Sequence, residues 1–166
     1  MSDLRVLVAG IGNIFLGDDG FGPEVLRRMS STPVSREVRT DGVRIADFGI
    51  RGVHLAYELL DGCETLILVD AMPNRGAPGT IHVFEADTDT LSGRQFDAHS
   101  MDPGAVLANL RALGGTMPRT IIVGCEVAAV EEGIGLSPAV DDAVPDAVDA
   151  VTRVVHDVLD TARTES

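Results

Sequence analysis

The sequence predicts an α/β domain of three layers: a doubly wound, mostly parallel twisted sheet flanked by helices. Two observations carry this reading. Short, β-branched and nearly continuous apolar runs alternate along the chain with segments whose apolar residues recur at helical spacing. The runs suit strands buried on both faces of a sheet, and helices between successive strands make right-handed crossovers.

The elements follow in order. Leu4 to Ala9 is the first predicted strand, and a helix carrying Val25, Leu26 and Met29 comes after it. Val43 to Ala46 and Thr65 to Val69 are the next two strands; between them Val53, Ala56, Tyr57 and Leu60 form one helical stripe. Gly79 to Glu85 alternates Ile81 and Val83 against Thr80, His82 and Phe84, which predicts an extra strand suited to a sheet edge. Val106, Leu107, Leu110 and Leu113 mark a third helix, Thr120 to Val123 the last strand, and Val148, Val151, Val155, Val158 and Ala162 the final helix. Asp102-Pro103 and Ser137-Pro138 each put a capping side chain before a proline at a first helical position. Thr161 to Ser166 reads as a frayed tail, and with no linker or repeat the whole of residues 1–166 reads as one domain.

Composition excludes several functions. The 166 residues are 45% apolar and 23% charged, enough for one sizeable core. All 13 basic residues are Arg, against 26 Asp and Glu, and the formal net charge is -13. Such a surface repels nucleic acid and anionic membranes. Without Lys the chain builds neither a Schiff base nor a P-loop phosphate site. Cys63 and Cys125 are too far apart in sequence for a C-x-x-C motif and give no disulfide framework. A cytoplasmic location is expected, since no apolar run has the length of a signal h-region or a bilayer span.

In a doubly wound sheet, ligands bind outside the carboxyl ends of the strands. Gly10-Ile11-Gly12-Asn13 follows the first strand but departs from a dinucleotide fingerprint at Phe15, so the two glycines read as a tight turn with positive φ. Asp18 and Asp19 come next; taken alone they read as helix caps. Asp47 follows the second strand and Asp70 the third, and carboxylates gathered at one sheet edge repel one another unless a cation joins them. Among the histidines, His54 and His156 share helical faces with charged residues, and His82 falls within the extra strand as a structural residue. His99 lies in a loop ahead of a helix and is the candidate imidazole ligand. Cys125 reads as a small buried apolar residue, and Glu126 ranks below the aspartates as a cleft residue.

These motifs resemble the hydrogenase maturation protease family, whose members trim the C-terminus of the nickel-iron hydrogenase large subunit. The resemblance rests on Gly10-Ile11-Gly12-Asn13, Leu16-Gly17-Asp18-Asp19-Gly20-Phe21-Gly22, Val69-Asp70-Ala71, Ala77-Pro78-Gly79-Thr80, His99 and the stretches Val123 to Glu126 and Glu132 to Ser137. It implies an aspartyl-type endopeptidase in which Asp19, Asp70 and His99 are both the metal ligands and the catalytic residues. It further implies that Asp47 and Gly49 line the substrate groove. Asp18 matches a position that is not a ligand.

The implied partner is the hydrogenase large-subunit precursor. The implied metal is nickel, supplied by that substrate, with other divalent transition metals able to occupy the site. Two carboxylates and one imidazole suit such an ion with positions left open. A carboxylate or metal-bound water would then help deliver the nucleophile to the scissile carbonyl. A non-catalytic metal-binding or nickel-delivery module uses the same residue types and is the alternative. A signalling receiver domain needs a Lys that this chain lacks, and a metal-dependent phosphohydrolase needs a cationic phosphate cradle.

Overall fold

A computed structural model describes residues 5–30, 42–87 and 103–165, the last four of them by backbone alone. Within these lie β1 (Val6–Ile11), α1 (Phe21–Ser30), β2 (Val43–Gly49), α2 (Gly52–Leu60), β3 (Thr65–Met72), β4 (Ile81–Ala86), α3 (Pro103–Ala112), β5 (Arg119–Glu126) and α4 (Pro138–Glu165). The order matches the alternation in the sequence. A single 3-10 turn, Gly17–Gly20, stands between β1 and α1.

The sheet order is β2-β1-β3-β5-β4. β1 pairs in parallel with β2 and β3, and β3 with β5. β4 runs antiparallel at the edge, where the alternation of Gly79 to Glu85 placed an extra strand. The chain leaves β1 for one side to make β2 and returns to the other to make β3. Their carboxyl ends flank the switch point, where the crevice opens.

Alternate residues of the central strands face opposite layers. On one side Val6, Val8, Ile67, Val69 and Val123 pack against Val25, Leu26 and Met29 of α1 and against Val144, Val151, Val155 and Val158 of α4. On the other, Leu7, Ala9, Leu66, Leu68 and Ile122 meet Leu55, Ala56 and Leu59 of α2 and Val106, Leu107 and Leu110 of α3. Strands covered on both faces need apolar residues at every position. This explains their continuous runs.

The structure corrects several expectations. Of the stripe predicted in α2 only Ala56 is buried, while Val53, Tyr57 and Leu60 are 50%, 54% and 40% exposed. This helix is apolar nearly all round, so periodicity could not select the stripe, and the sheet takes Leu55 and Leu59 instead. The strands also run further than predicted: β3 continues to Met72 and β5 to Glu126, so Asp70 and Glu126 are strand residues and not loop residues. The backbone of α4 stays helical to Glu165, past the point where fraying was expected.

Of the two glycines read as a tight turn, only Gly12 has positive φ, at 138°. Gly10 is needed because a Cβ there would lie 2.7 Å from Leu26 Cδ2, in the packing of α1 on β1. Gly22 is tighter still: a Cβ would sit 2.3 Å from the Val69 carbonyl oxygen and 2.4 Å from that of Ile11. Main chain cannot yield as a side chain can. Gly22→Ala is therefore expected to lower stability by roughly 3 kcal/mol or more, read from a reduced denaturation midpoint at unchanged m-value.

Candidate active site at the switch point

The crevice is built from the segment after β1. Gly12 donates its N–H to the Gly49 carbonyl at 3.0 Å, and the chain then folds back so that the Asp19 carbonyl lies where a Gly12 Cβ would be, 2.0 Å away. Asn13 N–H donates to Asp19 Oδ2 at 2.8 Å, which orients that carboxylate. Three residues on, Gly22 rests on the Val69 carbonyl, one residue before Asp70. The 3-10 turn carrying Asp19 thereby packs on β3 at its carboxyl end. Asp19 is half-buried, and Asp70 is 4% exposed.

Asp18 has a different task. It is wholly buried and accepts from Ala128 N–H at 2.8 Å, Ala129 N–H at 3.0 Å, Ser137 N–H at 2.7 Å and the Ser137 hydroxyl at 2.8 Å. Burial alone would raise its pKa. The hydrogen bonds from Ser137, Ala129 and Ala128 outweigh that and hold it below the usual carboxylate range. Asp18 fastens the loop after β5 to the turn that carries Asp19. Ser137 was expected to cap α4; the helix does begin at Pro138, but the hydroxyl is given to Asp18.

Asp47 sits in β2, exposed, beside a register shift that pairs Gly10 with Asp47 and Ile11 with Gly49. Its Oδ1 accepts the Gly49 N–H at 2.8 Å, and Gly49 takes φ 53°. Asp47 lines one cleft with Arg51, His54 and Tyr57 and another with Ile14, Pro23 and Ile134. His99 lies outside the described residues. Among the described residues no group of three or more His, Cys, Asp and Glu side chains is placed to hold a metal ion.

One cluster escaped the sequence reading. His82 Nε2 lies 2.8 Å from Glu126 Oε2, while Glu126 Oε1 accepts Arg75 N–H at 2.7 Å and Ala77 N–H at 3.3 Å. The His82 bond, aided by Arg75 N–H, holds Glu126 below its ordinary pKa. The pair could have been found only from strand register: His82 stands opposite Gly124, which puts it diagonal to Glu126 on one face. Glu126 thus anchors the loop from β3 to β4, and Glu126→Ala is expected to speed amide exchange at Arg75 and Ala77 by about tenfold or more. Cys125 is buried, as expected, and loss of solvent raises its thiol pKa to about 11. A thiol so protonated is no nucleophile.

Comparison with known proteins agrees with this architecture. The family model described as hydrogenase maturation protease matches residues 28–154. The chain is 31% identical over 153 residues to the coenzyme F420 hydrogenase subunit delta of Methanothermobacter thermautotrophicus, covering 90% of this chain and 93% of that one. It is 28% identical over 156 residues to the hydrogenase 2 maturation protease of Escherichia coli K12, covering 93% and 92%. The solved structure of the hydrogenase maturating endopeptidase HybD from E. coli superposes with a TM-score of 0.73 at 25% identity, over 93% of this chain and 94% of that one. With the five-stranded sheet and two acidic residues at its switch point, these matches establish that the chain is a peptidase belonging to the hydrogenase maturation protease family.

Proposed function

We propose that this protein removes a C-terminal peptide from the nickel-loaded large-subunit precursor of a nickel-iron hydrogenase, with the substrate's own nickel as the mark of readiness. The observation that carries the reading is the seating of the Asp19 turn on β3: Gly12 and Gly22 leave no room for side chains, and the turn is held against the strand that carries Asp70. Asp19, Asp70 and His99 act as ligands to the nickel and as the catalytic set, and Asp47 and Gly49 line the groove for the departing segment. Oxygen and nitrogen donors without thiolate suit an ion that arrives and leaves with substrate. A carboxylate of the set or water held by the ion would help deliver the nucleophile to the scissile carbonyl, and the proton lost by the water passes to the leaving amine as the C–N bond breaks. Residues 1–166 work as one domain in the cytoplasm; among the described residues no helix is long and apolar enough to cross a membrane.

The test is intact mass. Mixing the protein with nickel-loaded precursor is expected to shorten the precursor by one C-terminal peptide, and nickel-free precursor is expected to keep its full mass. Tight binding of nickel without any shortening would instead assign the chain to metal delivery.

A further inference from the structure

Beside the Asp19 turn lies a cleft of about 310 Å³ lined by Ile14, Gly17, Gly20, Pro23, Ile134 and Leu136. Asp47 adds a carboxylate to this apolar wall, and Glu24 and Arg27 reach it as a hydrogen-bonded ion pair. The main chain around the cleft is firmly tied. Leu16 pairs with Gly133 as a parallel bridge; Gly17 N–H donates to the Gly133 carbonyl at 3.0 Å and Gly133 N–H to the Phe15 carbonyl at 2.8 Å. Asp18 clamps the same two segments through its buried carboxylate. On the outside of this frame Ile14, Phe15, Val130 and Ile134 are 48%, 59%, 50% and 79% exposed. Apolar side chains held in water by an ordered main chain form a recognition surface, because little further ordering accompanies binding.

Three features choose the occupant. A peptidase acts on a polypeptide. Gly17 and Gly20, the first and last residues of the turn that carries Asp19, wall the cleft, so a segment lying there runs along that turn. Asp47 in the lining and a net charge of -13 favour a cation next to the apolar group.

We propose that this cleft is a specificity subsite, taking an apolar side chain of the substrate's extended C-terminal segment with a basic residue of the same segment beside Asp47. The inference rests on the cleavage reading above, and the experiment separates the two. Steady-state trimming of nickel-loaded precursor is measured for the full chain and for Ile134→Asp and Ile134→Leu, substitutions at a side chain too exposed for the fold to depend on it. Ile134→Asp is expected to lower kcat/KM about tenfold, mainly through KM, and Ile134→Leu to stay within about twofold. Precursor whose basic C-terminal residues are replaced by Ser is expected to show a raised KM as well.

Unchanged KM for Ile134→Asp, with the unsubstituted protein active, overturns the subsite and leaves the cleavage reading intact. Absence of trimming by the unsubstituted protein overturns both. Sedimentation showing a dimer that Ile134→Asp splits, at unchanged KM, assigns the apolar patch to a second copy and overturns the subsite.

Discussion

Asp70→Asn is expected to lower trimming of nickel-loaded precursor by about a thousandfold or more, with an unchanged circular dichroism spectrum. Asn keeps the volume of the side chain at the end of β3 and removes the charge that an ion requires. Asp19→Asn and His99→Ala are expected to fail in the same way under the proposed ligand assignment. Unimpaired trimming by all three variants would overturn the assignment. Equal cleavage of nickel-free precursor would overturn only the gating by nickel and leave an ordinary protease.

Asp18→Ala is expected to act on stability first. Its carboxylate accepts from three main-chain N–H groups and one hydroxyl in a wholly buried position. Removing it strands those donors, which costs on the order of 4 kcal/mol and lowers the thermal midpoint by about 10 °C. Neighbouring aspartates are thus expected to separate by assay: Asp19→Asn in activity with the fold retained, and Asp18→Ala in stability, with activity following only as the turn loosens.

The pH dependence has a definite sign. Because the folded pKa of Asp18 lies below the ordinary 3.8, its contribution is fully present above that value and is lost as pH falls through the lower, folded one. In acid titrations Asp18→Asn is expected to show a shallower fall of stability below about pH 4 than the unsubstituted protein. Equal slopes would show that Asp18 is not the group whose protonation loosens the loop.

Much of the fold is legible from particular residues. Thr65 to Val69 and Thr120 to Val123 announce doubly covered strands, and Ser137-Pro138 marks the start of α4 to the residue. The α2 stripe was not legible, because six of its nine residues are apolar and only the position of the sheet chooses among them. Cys125 could be read as a small buried apolar residue, although the predicted strand ended at Val123 and β5 in fact includes it. The partnership of His82 with Glu126 could not, because the two are 44 positions apart and meet only through the antiparallel register of β4.

By itself, then, the order of residues determined the layers, the succession of strands and helices, and the acidic residue types gathered at the sheet's edge. Those follow from local periodicity and punctuation, which act over a few neighbours. The partners that Asp18 and Asp19 meet were decided only in three dimensions. Identical in chemistry and adjacent in the chain, one turns to main-chain donors of the loop after β5 and the other faces Asn13 at the crevice, a difference set by contacts that only the folded sheet brings together.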